Sequence, residues 1–118
     1  MDIESLREYC LAKPAVEETL PFGPNTLVYK VEGKMFLLCG LDSEVLSFNV
    51  KCDPEKAIEL RERYDCVQPG YHMNKKHWNT IVVDGSVSNN LLKEWIDDSY
   101  ELIVDSLPAK VKAQLKGK

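Results

Sequence analysis

The sequence predicts an α+β domain: an antiparallel sheet of about five strands with helices packed against it, ordered α-βββ-α-ββ-α, in one domain over residues 1–118. Three strand-like patterns follow one another directly from Thr26 to Lys51, parted only by turn residues, and strands joined that way pair antiparallel. Helical spacing marks both ends and the middle of the chain. With 44% hydrophobic and 29% charged residues over 118 positions, the chain fills one core under a charged surface, which excludes a collagen-like or disordered chain.

Ile3, Leu6 and Cys10 recur at helical spacing, and Pro14 closes this first helix after Lys13. Pro21, Gly23 and Pro24 punctuate an irregular loop around Phe22. In the first strand Leu27, Tyr29 and Val31 share one face, and Thr26, Val28 and Lys30 the other. Glu32-Gly33 is a tight-turn signal, and the nearly all-apolar run from Met35 to Leu41 suits a central strand covered on both faces. After a turn at Asp42-Ser43, Leu46, Phe48 and Val50 point one way and Ser47, Asn49 and Lys51 the other.

Asp53-Pro54-Glu55 is a helix start, because Asp accepts an orphan backbone N–H, Pro suits the first turn, and Glu favours the positive end of the dipole. That helix should run to about Tyr64 and bury Ala57, Leu60 and Tyr64. Cys66 to Gln68 reads as a short strand stopped by Pro69-Gly70, and Trp78 to Asp84 as another that ends at a turn on Gly85. Ser88 caps the longest helix, whose stripe is Leu92, Trp95, Ile96, Ser99, Leu102 and Ile103. Pro108 breaks it ahead of a short Lys-rich helix.

Fifteen Lys and Arg against nineteen Asp and Glu give a formal net charge of −4, which argues against a basic shell all round the protein. Distribution matters more than the sum. The last nine residues carry Lys110, Lys112, Lys116 and Lys118 and no acid, so the body ahead of them is more acidic still. The segment from Pro69 to Thr80 departs from that background, with Lys75, Lys76, His72 and His77 and no carboxylate. Any anionic partner must meet this segment or the tail. The longest wholly apolar run, Met35 to Cys39, is far short of the roughly 20 residues that a bilayer-spanning helix needs, so no membrane association is expected. No secretory signal opens the chain, and the expected compartment is the cytoplasm.

Cys10, Cys39, Cys52 and Cys66 are widely spaced, with no C-x-x-C pair, and Cys10 and Cys39 fall on apolar faces as small buried thiols. His72 and His77 have the spacing of zinc-finger histidines, with Cys66 upstream, but the close Cys pair is missing. We expect no metal and no cofactor. The chain has neither a phosphate-binding G-x-x-x-x-G-K nor a dinucleotide fingerprint, and nothing resembles a nucleophile motif, so no catalytic residue is assigned and the expected class is non-enzymatic.

The block Pro69-Gly70-Tyr71-His72-Met73-Asn74-Lys75-Lys76-His77-Trp78-Asn79-Thr80 is the least ordinary stretch. Lys75 and Lys76 suit phosphates, Asn74 and Asn79 suit backbone or base edges, and Tyr71 or His77 can stack on a base. Structural readings stand beside these. Asn74 can cap a helical turn over Lys75 to His77, Trp78 can plug one end of the core, His72 can brace the loop, and the lysines can form a plain solvated turn.

This block, with Lys51-Cys52-Asp53-Pro54, Leu60-Arg61, Val31-Glu32-Gly33-Lys34-Met35-Phe36 and Ser99-Tyr100, resembles the signature of the MmcQ/YjbR family of small bacterial proteins. The resemblance spans essentially the whole chain. It implies a YjbR-like fold akin to secretion chaperones and to frataxin-like (CyaY-like) domains, and a DNA-binding role through a double-wing arrangement. The wing candidates are the Glu32-Gly33-Lys34 turn and the Lys75-Lys76 loop.

Two functions follow as expectations. The first is a nucleic-acid-binding domain that meets duplex DNA through Lys34, Lys51, Tyr71, His72, Asn74, Lys75, Lys76, His77 and Asn79. The second is a protein- or peptide-binding module that uses a sheet face or edge with the His72 to Trp78 loop, and it requires a contiguous apolar patch.

Overall fold

Asp2 starts α1 (Ile3–Leu11): its carboxylate accepts the Ser5 N–H at 2.8 Å, while the Ser5 hydroxyl accepts the Asp2 N–H at 3.0 Å. The computed structural model describes residues 1–70 and 73–116. Beyond α1 run β1 (Val16–Thr19), β2 (Thr26–Val31), β3 (Lys34–Gly40), β4 (Ser47–Lys51), α2 (Pro54–Arg63), β5 (Val67–Pro69), β6 (Trp78–Val82), α3 (Asn89–Asp105) and α4 (Ala109–Lys116). The described residues thus form an α+β fold with a six-stranded, wholly antiparallel sheet in the order β1-β2-β3-β4-β6-β5.

The strand absent from the sequence expectation is β1. Val16-Glu17-Glu18-Thr19 is acidic, short and close after Pro14, so nothing local marks it as a strand. Its partner makes it one. It lies at the sheet edge along β2, with Glu18 opposite Tyr29, and the Glu18 carboxylate accepts the Tyr29 hydroxyl at 2.8 Å and the Arg7 Nε–H at 2.9 Å.

β2 and β3 join through Glu32 and Gly33, both left-handed at φ 50° and 78°, as a two-residue hairpin turn requires. One irregularity in that hairpin matters. Tyr29 opposes Leu37 and Lys30 opposes Met35, so Phe36 is an extra residue on β3. The bulge turns both Phe36 and Leu37 toward the helices, while Met35 and Leu38 point to the opposite face.

The four helices of the described residues pack on one face, α4 through Leu115 in the main core. α3 lies across β2, β3 and β4, α1 packs on β1, and α2 on β5. Leu6, Tyr29, Phe36, Leu37, Phe48, Ile81, Leu92 and Ile96 are fully or almost fully buried between these layers. The stripe of α3 differs from the expected one. Leu102 is 36% exposed, and Tyr100 and Val104 are buried in its place, because α3 rolls its later turns toward Pro14 and the bulge. The Tyr100 hydroxyl donates to the Pro14 carbonyl at 2.7 Å, and its ring meets Phe36 edge-on at 5.3 Å.

The other sheet face carries a second, smaller cluster of Val28, Leu38 and Trp78, with Met35 and Met73 against it. Trp78 is therefore buried on the face away from the main core instead of plugging one end of it, because it stands opposite Lys51 at an outward-facing position of the ladder. No helix contributes to this cluster among the described residues.

Candidate binding groove on the uncovered sheet face

Because the helices cover one side, the other side of the sheet is shaped by two loops. The loop over residues 20–25 presents Phe22, 64% exposed, and the segment over residues 73–77 lays Met73 onto Leu38 and Trp78. Between them lies an open groove of about 760 Å³. Phe22, Met35, Leu38 and Met73 supply its apolar wall. Thr26, Ser47, Asn49 and Thr80 line its floor, and Asp42 and Ser43 stand at its far end. The Thr80 hydroxyl and the Asn49 side-chain oxygen are 2.5 Å apart, so these two polar groups satisfy each other across β4 and β6.

Ladder register explains the lining. Val28, Leu38, Asn49 and Thr80 are cross-strand neighbours on β2, β3, β4 and β6, Thr26 shares the face of Val28 two residues along β2, and all of them face away from α3. The signal for this groove in the sequence was the alternation of β2, which set Val28 apart from Leu27, Tyr29 and Val31. The apolar run from Met35 to Leu41 suggested instead a strand covered on both faces, and Leu38 corrects that, because it lies on the face that no helix covers among the described residues. Phe22 is the residue that pattern reasoning passed over, since a bulky aromatic inside Pro21-Phe22-Gly23-Pro24 has no period to betray it.

The described residues between β5 and β6 are held tightly for an irregular segment. The Gly70 N–H donates to the Trp78 carbonyl and the Met73 N–H to the Gly70 carbonyl, at 3.0 and 2.9 Å. Asn74 then does what a cap does. Its side-chain oxygen accepts the Lys76 N–H at 3.0 Å, and its carbonyl accepts the N–H groups of His77 and Trp78, each at 3.0 Å. The His77 carbonyl accepts the Cys52 N–H at 2.7 Å, tying the loop to the end of β4.

The residues singled out in the sequence separate into three groups. Lys34 follows the β2–β3 turn, Lys51 ends β4 opposite Trp78, and Asn74, Lys75, Lys76 and His77 directly precede β6, so all six lie toward one end of the sheet. Lys34, Lys75 and Lys76 are exposed, and Lys51 and His77 half-buried. Neither Lys34, Lys51 nor Lys76 forms an ion pair among the described residues, whereas Arg7, Lys13, Lys56 and Lys112 do. Asn79 forms the second group and corrects the expectation of a base contact. It is 1% exposed on the helix side, donates to the Ala57 carbonyl at 3.3 Å and accepts from Arg61 at 2.6 Å. Tyr71 and His72 form the third group and lie outside the described residues.

The cysteines are sealed and Lys13 is occupied. All four cysteines are buried. Burial pushes the Cys10 thiol up to about 12 and the Cys39 thiol up to about 11, and it raises Cys52 as well. Lys13 pairs with Asp97 and sits over the rings of Tyr9 and Tyr100, bracing α1 against α3. Among the described residues, no helix is long and apolar enough to cross a membrane.

An antiparallel sheet with helices on one side and a loop-walled groove on the other defines the class: an α+β fold whose second sheet face carries no helix among the described residues. The YjbR family model matches residues 11–102, and the chain belongs to the YjbR family. The Escherichia coli O157:H7 protein YbdF is 38% identical over 120 residues, covering 98% of each chain. The Escherichia coli K12 protein YjbR is 32% identical over 115 residues, again covering 98% of each. Both carry the description of uncharacterized proteins. Among solved structures, a Deinococcus radiodurans protein with the domain DUF419 superposes with a TM-score of 0.91 at 36% identity, over 97% of this chain and 87% of that one. A Pseudomonas syringae protein superposes at 0.75 with 25% identity, over 86% and 98%.

Proposed function

We propose that this protein is a non-enzymatic binding module that receives an extended, largely apolar segment of a partner protein in the groove on the uncovered sheet face. The observation that carries this reading is the groove wall of Phe22, Met35, Leu38 and Met73, an apolar surface outside the main core on a face without a helix among the described residues. Methionine side chains repack around different apolar partners, which suits a protein ligand. Charge supports the same class of ligand: among the described residues the lining includes Asp42 and no base, a poor surface for phosphates. The sealed thiols, raised where burial acts on them, support the non-enzymatic part, since the thiolate is the nucleophile.

The test is a pull-down from bacterial lysate, with and without nuclease, using the native chain and a Phe22→Asp variant. A protein captured regardless of nuclease and lost with Phe22→Asp is expected. A peptide from that protein should then shift the methyl resonances of Met35 and Met73. Capture that persists in the variant overturns the reading.

One further observation favours duplex DNA as a second reading. The ladder brings the carriers of Lys34, Lys51, Lys75 and Lys76 to one end of three adjacent strands, β3, β4 and β6, about 10 Å across at the usual strand spacing. Glu32 shares the turn with Lys34, and Asp53 follows Lys51 by two residues, which weakens that end for an anion. Anisotropy with a short duplex separates the readings. A salt slope reduced by Lys75→Ala with Lys76→Ala supports DNA, and no binding at low salt rejects it.

A further inference from the structure

We infer that Arg61 is a positioning residue that latches the loop over residues 73–77 and so sets one wall of the groove. Its importance to binding rests on the groove reading above, but the latch itself stands on independent geometry. Arg61 is half-buried on α2 and points toward the strand end where that loop begins β6. Its Nε–H donates to the Asn79 side-chain oxygen at 2.6 Å. Its Nη2 donates to the Lys75 carbonyl and to the Trp78 carbonyl, the latter at 3.3 Å. One guanidinium therefore holds two backbone carbonyls on either side of the turn.

The anchor is as specific as the latch. Asn79 sits at the inward-facing register position next to Trp78, almost without solvent, and its amide nitrogen is spent on the Ala57 carbonyl within α2. Its oxygen is thus aimed at Arg61, and Arg61 and Asn79 together tie α2, β6 and the turn into one unit. Only a planar fork of several N–H donors reaches a side-chain amide and two carbonyls at once. A lysine at this position carries the charge and lacks the fork.

What the latch controls lies on the opposite face. Met73 packs on Leu38 and Trp78 and lines the groove, and the backbone from Met73 to Trp78 has its internal bonds concentrated on Asn74. Release of the Lys75 and Trp78 carbonyls removes the tie between this turn and α2. The turn keeps its bond to Cys52 and loses its tie to α2, so the stretch from Met73 to Lys76 opens more often and the groove widens on that side. The same residue fixes the direction in which the exposed Lys76 is presented.

Trypsin reads this without any ligand, because Lys76 lies inside the latched turn and cleavage of a folded chain follows the population of the opened form. In Arg61→Lys and Arg61→Met, cleavage after Lys76 is expected to accelerate by about tenfold or more, with faster amide exchange at His77 and Trp78. Amides of Leu37 and Phe48, in the middle of the sheet, report global unfolding in the same sample. Their protection is expected to change much less than that of the turn. Unchanged cleavage in both variants overturns the latch, and so does acceleration matched by an equal loss of protection at Leu37 and Phe48. Failure of the groove reading looks different: the turn opens on cue while Phe22→Asp leaves protein capture unaltered.

Discussion

The hydroxyl of Ser99 donates to the carbonyl of Phe36 at 2.5 Å, joining the middle of α3 to the extra residue of the β3 bulge. The same oxygen accepts the Lys51 N–H at 2.8 Å, where the pairing of β3 with β4 has already ended at Leu37 and Val50. A bulge takes backbone groups out of register, and a buried group without a partner is costly. Ser99, with 0% exposure, supplies the missing partner to two of them. This single hydroxyl lets the sheet turn both Phe36 and Leu37 into the core.

Ser99→Ala should therefore destabilise the fold by about 2 kcal/mol, since two buried backbone groups lose their partner at once. Urea unfolding monitored by tryptophan fluorescence measures it. A change below about 0.5 kcal/mol would mean that water replaces the hydroxyl at the bulge.

Gly70→Ala should cost roughly 1–3 kcal/mol through steric overlap. A Cβ there meets the Trp78 carbonyl oxygen at 3.0 Å and the Trp78 Cβ at 3.1 Å, and the backbone cannot step aside without moving β6. Gly33→Ala separates crowding from conformation, because nothing lies within 4 Å of its new Cβ and only its φ of 78° is unfavourable. That variant should lose about 1–2 kcal/mol. The contrast is checked by thermal unfolding together with amide exchange at Met73, which only Gly70→Ala should accelerate.

Acid should loosen the α1–β1–β2 corner through Glu18. Hydrogen bonds from Arg7 and Tyr29 hold its carboxyl below the ordinary value of 4.5. A group whose pKa is lowered by folding stabilises fully above its unfolded value and loses that contribution as pH falls through the folded one. Native stability should thus drop between about pH 5 and pH 3 by more than that of Glu18→Gln, which carries no proton-linked charge. With side chains 46% and 24% exposed in the Arg7–Glu18 pair, solvent screening keeps the difference to about 1 kcal/mol or less. Equal acid sensitivity in both proteins would remove Glu18 from the account.

The thiols should be silent in the native state. Cys10 and Cys39 are completely buried, with their thiols pushed up to about 12 and 11, so both thiolate and access are wanting. Alkylation at mildly basic pH should label neither until denaturant is added. Rapid modification of either one in the folded protein, read by mass spectrometry, contradicts this packing.

Much of this architecture was written in local chemistry. Asp53-Pro54-Glu55 starts α2 because each residue suits a helix start by itself, and Asp53 does accept the Glu55 N–H, at 3.1 Å. Ser88 caps α3 by accepting the Leu91 N–H at 3.2 Å, and alternation in β2 and β4 assigned their inward faces. The Asn74 turn was equally legible, because an Asn side chain bonds the backbone two residues on. Asn79 was not. Its polarity suggested an exposed contact, and only the arrival of Arg61 and Ala57 from α2 makes a buried amide tolerable there.

The sequence by itself determined where helices begin and end, where the chain turns, and which residues alternate, because caps, turns and period-2 patterns act over four or five neighbouring residues. Tertiary structure decided the rest. It made an acidic tetrapeptide into edge strand β1 by pairing it with β2, and set Phe36 and Leu37 on one side through a bulge bonded to α3. It also left Val28, Leu38 and Trp78 on a face that no helix covers among the described residues. Each of these outcomes depends on groups far apart along the chain, whose hydrogen bonds and contacts exist only after folding has brought them together.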